Sequence, residues 1–85
     1  MKFRVNHTIS NPTEFWGRAQ KALPNLPEGI KVHVVLANES MDHGTCVWEA
    51  ESLEKITAFL EAATGDVSKN EYMIIHEASA MGLPK

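Results

Sequence analysis

Hydrophobic and polar residues alternate with a period of two in four stretches, residues 2–9, 30–37, 45–50 and 71–78. Between them, apolar residues recur at helical spacing over 12–23 and 53–63. Along the chain this reads strand, helix, strand, strand, helix, strand, used once and filling residues 1–85. That order predicts a ferredoxin-like α+β sandwich: a four-stranded antiparallel sheet with two helices on one face. Eighty-five residues leave room for a single domain, 1–85.

Local signals sharpen the pattern. In the first strand Phe3, Val5 and His7 share one face and Arg4, Asn6 and Thr8 the other. Asn11-Pro12-Thr13-Glu14 supplies an N-cap, a proline at the first helical position and an acid at the third, where its charge meets the positive helix end. Phe15, Ala19, Ala22 and Leu23 form the helical stripe, with Trp16 at its margin. Pro24 and Pro27 stop the helix, and Gly29 releases the chain into the second strand. There Val32, Val34 and Leu36 alternate with Lys31, His33 and Val35. Residues 38–44 read as a polar hairpin loop carrying His43, with a mobile tip. In the third strand Cys46, Trp48 and Ala50 alternate with Val47 and Glu49. Ser52 caps a second helix with the stripe Leu53, Ile56, Phe59, Leu60 and Ala63, and Gly65 ends it in the left-handed conformation. The last strand sets Tyr72, Ile74 and His76 against Met73, Ile75 and Glu77. The tail 81–85 has no period and is expected to fray or to lie on a partner subunit.

The expected sheet order is 4-1-3-2, with right-handed crossovers, the first and last strands antiparallel neighbours, and the first and third parallel ones. One sheet face packs the helix stripes. The other carries Val35, Val47, Met73 and Ile75, an apolar patch that predicts a homodimer packed through the open sheet face. A monomer whose open face is screened by Arg4, Lys31 and Glu49 is the alternative.

Composition narrows the function classes. The net charge is −3 with no concentrated run of Lys or Arg, which argues against a nucleic-acid partner. No apolar run approaches the ~20 residues of a membrane span, and no signal peptide is readable. Cys46 is the only cysteine, so no internal disulfide forms. These features together predict a cytoplasmic protein.

The chain resembles the dimeric α+β barrel superfamily, and within it small uncharacterised bacterial proteins. The resemblance is carried by Leu26-Pro27-Glu28-Gly29-Ile30-Lys31, by Cys46-Val47-Trp48-Glu49-Ala50-Glu51-Ser52-Leu53-Glu54 and by Glu71-Tyr72-Met73-Ile74-Ile75. It implies a dimer and a pocket between sheet and helices. It also implies one activity among several, since the superfamily includes cofactor-free monooxygenases, polyketide cyclases, heme-degrading enzymes and metal- or ligand-binding proteins. Whether the chain is an enzyme stays open.

Two kinds of chemistry are written in the residues. His7, Cys46 and His76 lie by parity with the large apolar residues of neighbouring strands, and imidazole with thiolate suits Zn, Ni or Cu. No close-spaced ligand pair supports that metal site, and His7 is expected to oppose a residue near Met73, away from His76. The rival needs no cofactor. His76 serves as base and Tyr72 as hydrogen-bond donor, in a ligand pocket walled by Trp16, Trp48, Phe59 and His7, for a small aromatic substrate in a monooxygenase- or cyclase-like reaction. Tyr72 and His76 stand about 13 Å apart along a strand, so only a substrate of several rings touches both. A non-catalytic structural or interaction module with a solid core is the third reading. His33 falls on the open face and His43 in the hairpin, both expected to be solvated. Glu51, Glu54, Glu61 and Asp66 read as a solvated helix face.

Overall fold

The computed structural model of the chain describes residues 1–82. The elements run β1 (Lys2–Ile9), α1 (Pro12–Ala22), β2 (Lys31–Ala37), β3 (His43–Glu49), α2 (Leu53–Thr64) and β4 (Ser68–Ile74), with 3-10 turns at Leu23–Asn25 and Glu77–Ser79. The four strands form one sheet in the order β2-β3-β1-β4 with every neighbouring pair antiparallel. This is the ferredoxin-like α+β arrangement. Among the described residues, no helix is long and apolar enough to cross a membrane. Of the tail, residues 83–85 lie outside the described residues.

Both helix starts follow their local signals. The Asn11 side chain accepts the Glu14 backbone N–H at 3.2 Å ahead of Pro12, and Ser52 Oγ accepts from the Lys55 N–H at 3.2 Å. Each cap satisfies a backbone donor that the first helical turn leaves without a partner. Gly65 departs from expectation: it ends α2 in the right-handed region, at φ −62° and ψ −20°, so its place does not depend on left-handed backbone.

The topology corrects one pairing. β1 and β3 are antiparallel, with Phe3 opposite Trp48 and Val5 opposite Cys46. The β2–β3 hairpin reverses the chain, and the α1 crossover keeps β1 parallel to β2, so β3 inserted between them must oppose both.

Two strands are offset from their hydropathy. β3 starts at His43 because Asn38 closes the hairpin early: its backbone N–H donates to the His43 carbonyl at 3.0 Å and its Oδ1 accepts the His43 N–H at 2.9 Å. The Asp42 carbonyl also accepts the Ile9 N–H at 2.8 Å, which ties the loop to β1. β4 starts at Ser68, three residues ahead of its hydropathic alternation, and ends at Ile74, four residues short of it. The Ile75 N–H donates to Lys2 O at 2.9 Å, the last carbonyl β1 has to give, so residues 76–78 have no strand beside them.

β2 carries a bulge at His33: Val32 opposes Trp48 and Val34 opposes Val47, leaving His33 as the extra residue. One added residue flips the parity downstream. Val35 therefore joins Val32 in the core, while Val34 and Leu36 take the open face. The open-face patch is Val34, Leu36, Val47 and Met73 in place of one containing Val35 and Ile75, with Leu36 56% and Met73 42% exposed.

The core lies between sheet and helices. Phe3, Val5, Cys46, Trp48, Ala50, Ile56 and Leu60 form its main cluster, and Ile9, Phe15 and Val67 a second one at the other end of β1. His7 sits on the same strand face between them and is 3% exposed.

Candidate functional site

A cavity of about 40 Å³ opens between the helices and the helix-facing side of the sheet. β1 contributes His7 and β3 contributes Cys46 and Trp48. α1 closes one side with Phe15 and Trp16, and α2 the other with Phe59 and Leu60. His7, Trp16, Trp48 and Phe59, the four residues assigned to a ligand pocket from sequence, all line it.

The sequence explains the walls. Gly44 opposes His7 on β3. Its missing side chain leaves space that the Trp16 ring fills, since a Cβ there would stand 3.2 Å from the Trp16 ring and 3.3 Å from the Leu36 carbonyl. The Trp16 indole N–H donates to Met41 O in the hairpin at 2.8 Å, which fixes the ring against the cavity. Phe15 meets Trp16 edge-on at 4.8 Å between ring centroids, and Phe59 meets Trp48 edge-on at 5.9 Å. Arg18 closes the rim. Its guanidinium donates to both carboxylate oxygens of Asp66, to Glu14 and to Ala63 O, which straps α1 to the end of α2.

His7 is held in one tautomer by a chain of partners. The Glu61 carboxylate can only accept, so Asn70 turns its amide NH₂ toward it, at 2.5 Å. The Tyr72 hydroxyl donates to the same Glu61 oxygen at 2.9 Å. Asn70 Oδ1 then faces His7 Nδ1 at 2.5 Å, a contact that requires a hydrogen on Nδ1. Burial lowers the His7 pKa, against smaller opposing contributions from Asn70 and Glu61, so the ring is neutral near pH 7. Its lone pair is therefore on Nε2, and that atom is buried without a hydrogen-bond partner.

Trp48 Nε1 is the second buried polar atom without a close partner, on a side chain 4% exposed, and it lies beside the Cys46 thiol, a weak acceptor. One is an acceptor and the other a donor, on residues that line the same cavity. Leaving such groups unpaired costs about 1–3 kcal/mol each. Burial pushes the Cys46 thiol up to about 11, and the Trp48 indole beside it only partly counters that rise. At neutral pH Cys46 is a thiol, and it behaves as a small apolar wall residue.

The remaining assignments separate. His76 lies past the end of β4, exposed, with Nδ1 2.9 Å from Ser79 Oγ, and it does not line the cavity. Tyr72 is half-buried on edge strand β4, turned to Glu61, and burial followed by Glu61 raises its pKa. The Tyr72–His76 pair therefore does not converge on the cavity, because β4 ends before His76. His7 opposes Asn70, and Arg4 opposes Met73, which moves His7 three residues from its expected partner. Among the described residues no group of three or more His, Cys, Asp or Glu is placed to hold a metal ion, so His7, Cys46 and His76 do not form a ligand set.

Several polar residues expected to be solvated also have a charged partner, Glu51 and Asp66 while remaining exposed. His33 Nε2 stands 3.0 Å from Glu49 on the open face. Glu51 accepts from Lys55, and Asp66 from Arg18. Asn70 and Glu61, which set the His7 tautomer, were not singled out as site residues. The inward run Ser68-Asn70-Tyr72 alternates with Lys69-Glu71-Met73, and both faces are largely polar, so hydropathy leaves no trace of it.

No protein-family model matches the chain, and neither a curated protein nor a solved structure matches it.

Proposed function

We propose that this chain is a small-molecule-binding protein whose ligand occupies the cavity between sheet and helices and is anchored on His7. The observation that carries this reading is the unpartnered Nε2 of a 3% exposed histidine, on a residue that lines an apolar cavity. The large majority of buried side-chain polar atoms have a partner, and a ligand's donor would supply the one that this nitrogen lacks. The nitrogen is poised for more than binding. It is an unprotonated base near neutrality, in a low-dielectric pocket, with its ring oriented from behind by Asn70. The base role in a monooxygenase- or cyclase-like reaction thus passes to His7 from the exposed His76. The test is a fragment screen by amide and indole NMR. Shifts centred on His7, Cys46, Trp48 and Phe59 are expected, and a diverse set that moves none of them overturns the reading.

Membership of the dimeric α+β barrel superfamily and a cytoplasmic location belong to the same proposal, supported by the fold and by the buried, unpaired Cys46. So does a homodimer through the open face. Its support is a cross-strand row of Val34, Val47, Arg4 and Met73, flanked by Leu36. Val47→Asp places a carboxylate at the centre of that row and is expected to yield the monomer mass by light scattering. A dimer mass retained by this variant excludes sheet-to-sheet packing.

A further inference from the structure

We infer that Glu61, which does not line the cavity, determines the specificity of the site: through the Asn70 amide its carboxylate makes His7 Nε2 an acceptor, and a donor at position 61 would make Nε2 a donor instead. Glu61 is in this sense a positioning residue. The inference rests on the ligand-binding reading above and adds to it the direction of the hydrogen bond at its anchor.

His7 does not choose its own tautomer. In water the neutral histidine ring carries its hydrogen more often on Nε2 than on Nδ1. Here Nδ1 faces the Asn70 amide oxygen at 2.5 Å, and the hydrogen has to lie between them. Asn70 would impose the opposite tautomer equally well with its amide turned over, because its NH₂ would then donate to a bare Nδ1.

Only one neighbour holds that amide one way round. Ser68 Oγ stands 2.9 Å from Asn70 Oδ1 and 3.0 Å from Thr64 O. In one orientation Ser68 gives its hydrogen to Asn70 Oδ1. In the other it accepts from the amide nitrogen and gives its hydrogen to Thr64 O. A hydroxyl satisfies both orientations, so Ser68 does not discriminate. The Glu61 carboxylate does, since it has no hydrogen to give and Asn70 Nδ2 must be the atom that faces it. With the amide turned over, two acceptors would meet with no hydrogen between them. Tyr72 cannot supply that hydrogen to Asn70, because it is spent on the same Glu61 oxygen at 2.9 Å, and burial, then Glu61, keep the phenol protonated.

The consequence is chemical. Glu61 lies on the exposed side of α2, so the polarity of a buried nitrogen is set from the protein surface without changing a cavity wall. At Nε2 the site takes a ligand group that gives a hydrogen, a hydroxyl or an N–H, and refuses a bare carbonyl or ether oxygen.

The test reads the ring nitrogens of the intact ¹⁵N-labelled protein at neutral pH, by their two-bond correlations to the ring carbon-bound protons. His33→Gln, His43→Gln and His76→Gln, all outside the buried core, identify the other three rings. Wild type is expected to show a hydrogen-bearing Nδ1 and a bare Nε2 at His7. Glu61→Lys replaces an acceptor-only group by a donor-only one and should exchange the two positions, giving a bare Nδ1 and a hydrogen on Nε2. Glu61→Gln can do both and should give a mixture, while Glu61→Asp keeps the carboxylate and should restore the wild-type pattern. A merely structural role for Glu61 would move Tm without exchanging the nitrogens. The wild-type pattern retained in Glu61→Lys overturns the inference and leaves the binding reading to its own fragment screen. If Glu61→Lys does not fold, a pure wild-type pattern in Glu61→Gln overturns it in the same way. A hydrogen on Nε2 in the wild-type protein overturns both, since the anchor would then have no lone pair to offer.

Discussion

Phe3→Ala is expected to destabilise the protein by about 3–5 kcal/mol, the range for truncating a buried aromatic in a tight core. Phe3 is 0% exposed and sits on β1, a central strand of the sheet. It opposes Trp48 on one side and Ile74 on the other, and it shares its cluster with Ile56 and Leu60 of α2. Its removal therefore opens a void where sheet and helix meet, and close-packed interiors relax into such voids only in part. A domain of this length has a total stability of about 4–13 kcal/mol, so the variant loses a large share of it. Urea or thermal denaturation reads the effect directly, as a fall in Tm of well over 10 °C. A fall of only a few degrees would mean that the Phe3 site collapses freely, and that the core is far softer than its burial indicates.

The fold was legible because most elements carry their own period or cap. β1 alternates cleanly, and its inward set Phe3, Val5 and His7 is the set that is buried. Asn11 and Ser52 announce helix starts by the chemistry of the first turn, and both caps form. What stayed hidden has physical causes. The bulge at His33 leaves no mark in an unbroken run Val32-His33-Val34-Val35-Leu36, since either parity of that run is apolar. The start of β4 is hidden because its inward residues Ser68 and Asn70 are polar, serving hydrogen bonds in place of core. Its end is set by where β1 begins, which is a property of the partner strand.

The candidate site was half legible for the same reason. Parity put His7, Cys46 and Trp48 on the helix-facing side, and all three line the cavity. The identity of the base was not readable by parity alone. His76 fits the alternation of Tyr72 and Ile74, yet it falls beyond the last backbone bond to β1. Glu61 shows how helix-surface acids mislead. It lies on the exposed side of α2 by period, but β4 passes close enough for Asn70 and Tyr72 to reach it. Orientation of His7 thus depends on a residue 54 positions away in sequence, and only the tertiary fold brings it there.

Stability is expected to fall as the pH drops below about 6.5, and His7 is the group responsible. Its pKa is lowered in the folded chain, with burial the main cause, while the unfolded chain keeps the ordinary value near 6.5. The folded state therefore binds fewer protons than the unfolded one between its lowered pKa and 6.5. The contribution is fully present above 6.5 and is lost as the pH falls toward the folded value, with a limiting slope of about 1.4 kcal/mol per pH unit. The groups packed around the ring do not reverse this sign. Glu61 acts through Asn70 and opposes the shift only in part, Cys46 is a thiol throughout the window, and Arg18 is held by its carboxylates. The lowered carboxyls Asp42, Glu49, Glu51, Asp66 and Glu77 act in a separate window, below their ordinary range near 4. His7→Gln keeps a side-chain N–H for Asn70 and does not titrate. Wild type should lose Tm steadily from pH 7 to 5, and the variant should stay nearly flat over that range. Parallel profiles for the two proteins would show that His7 is protonated freely in the folded state, which would remove the basic, unpartnered Nε2 on which the site is built.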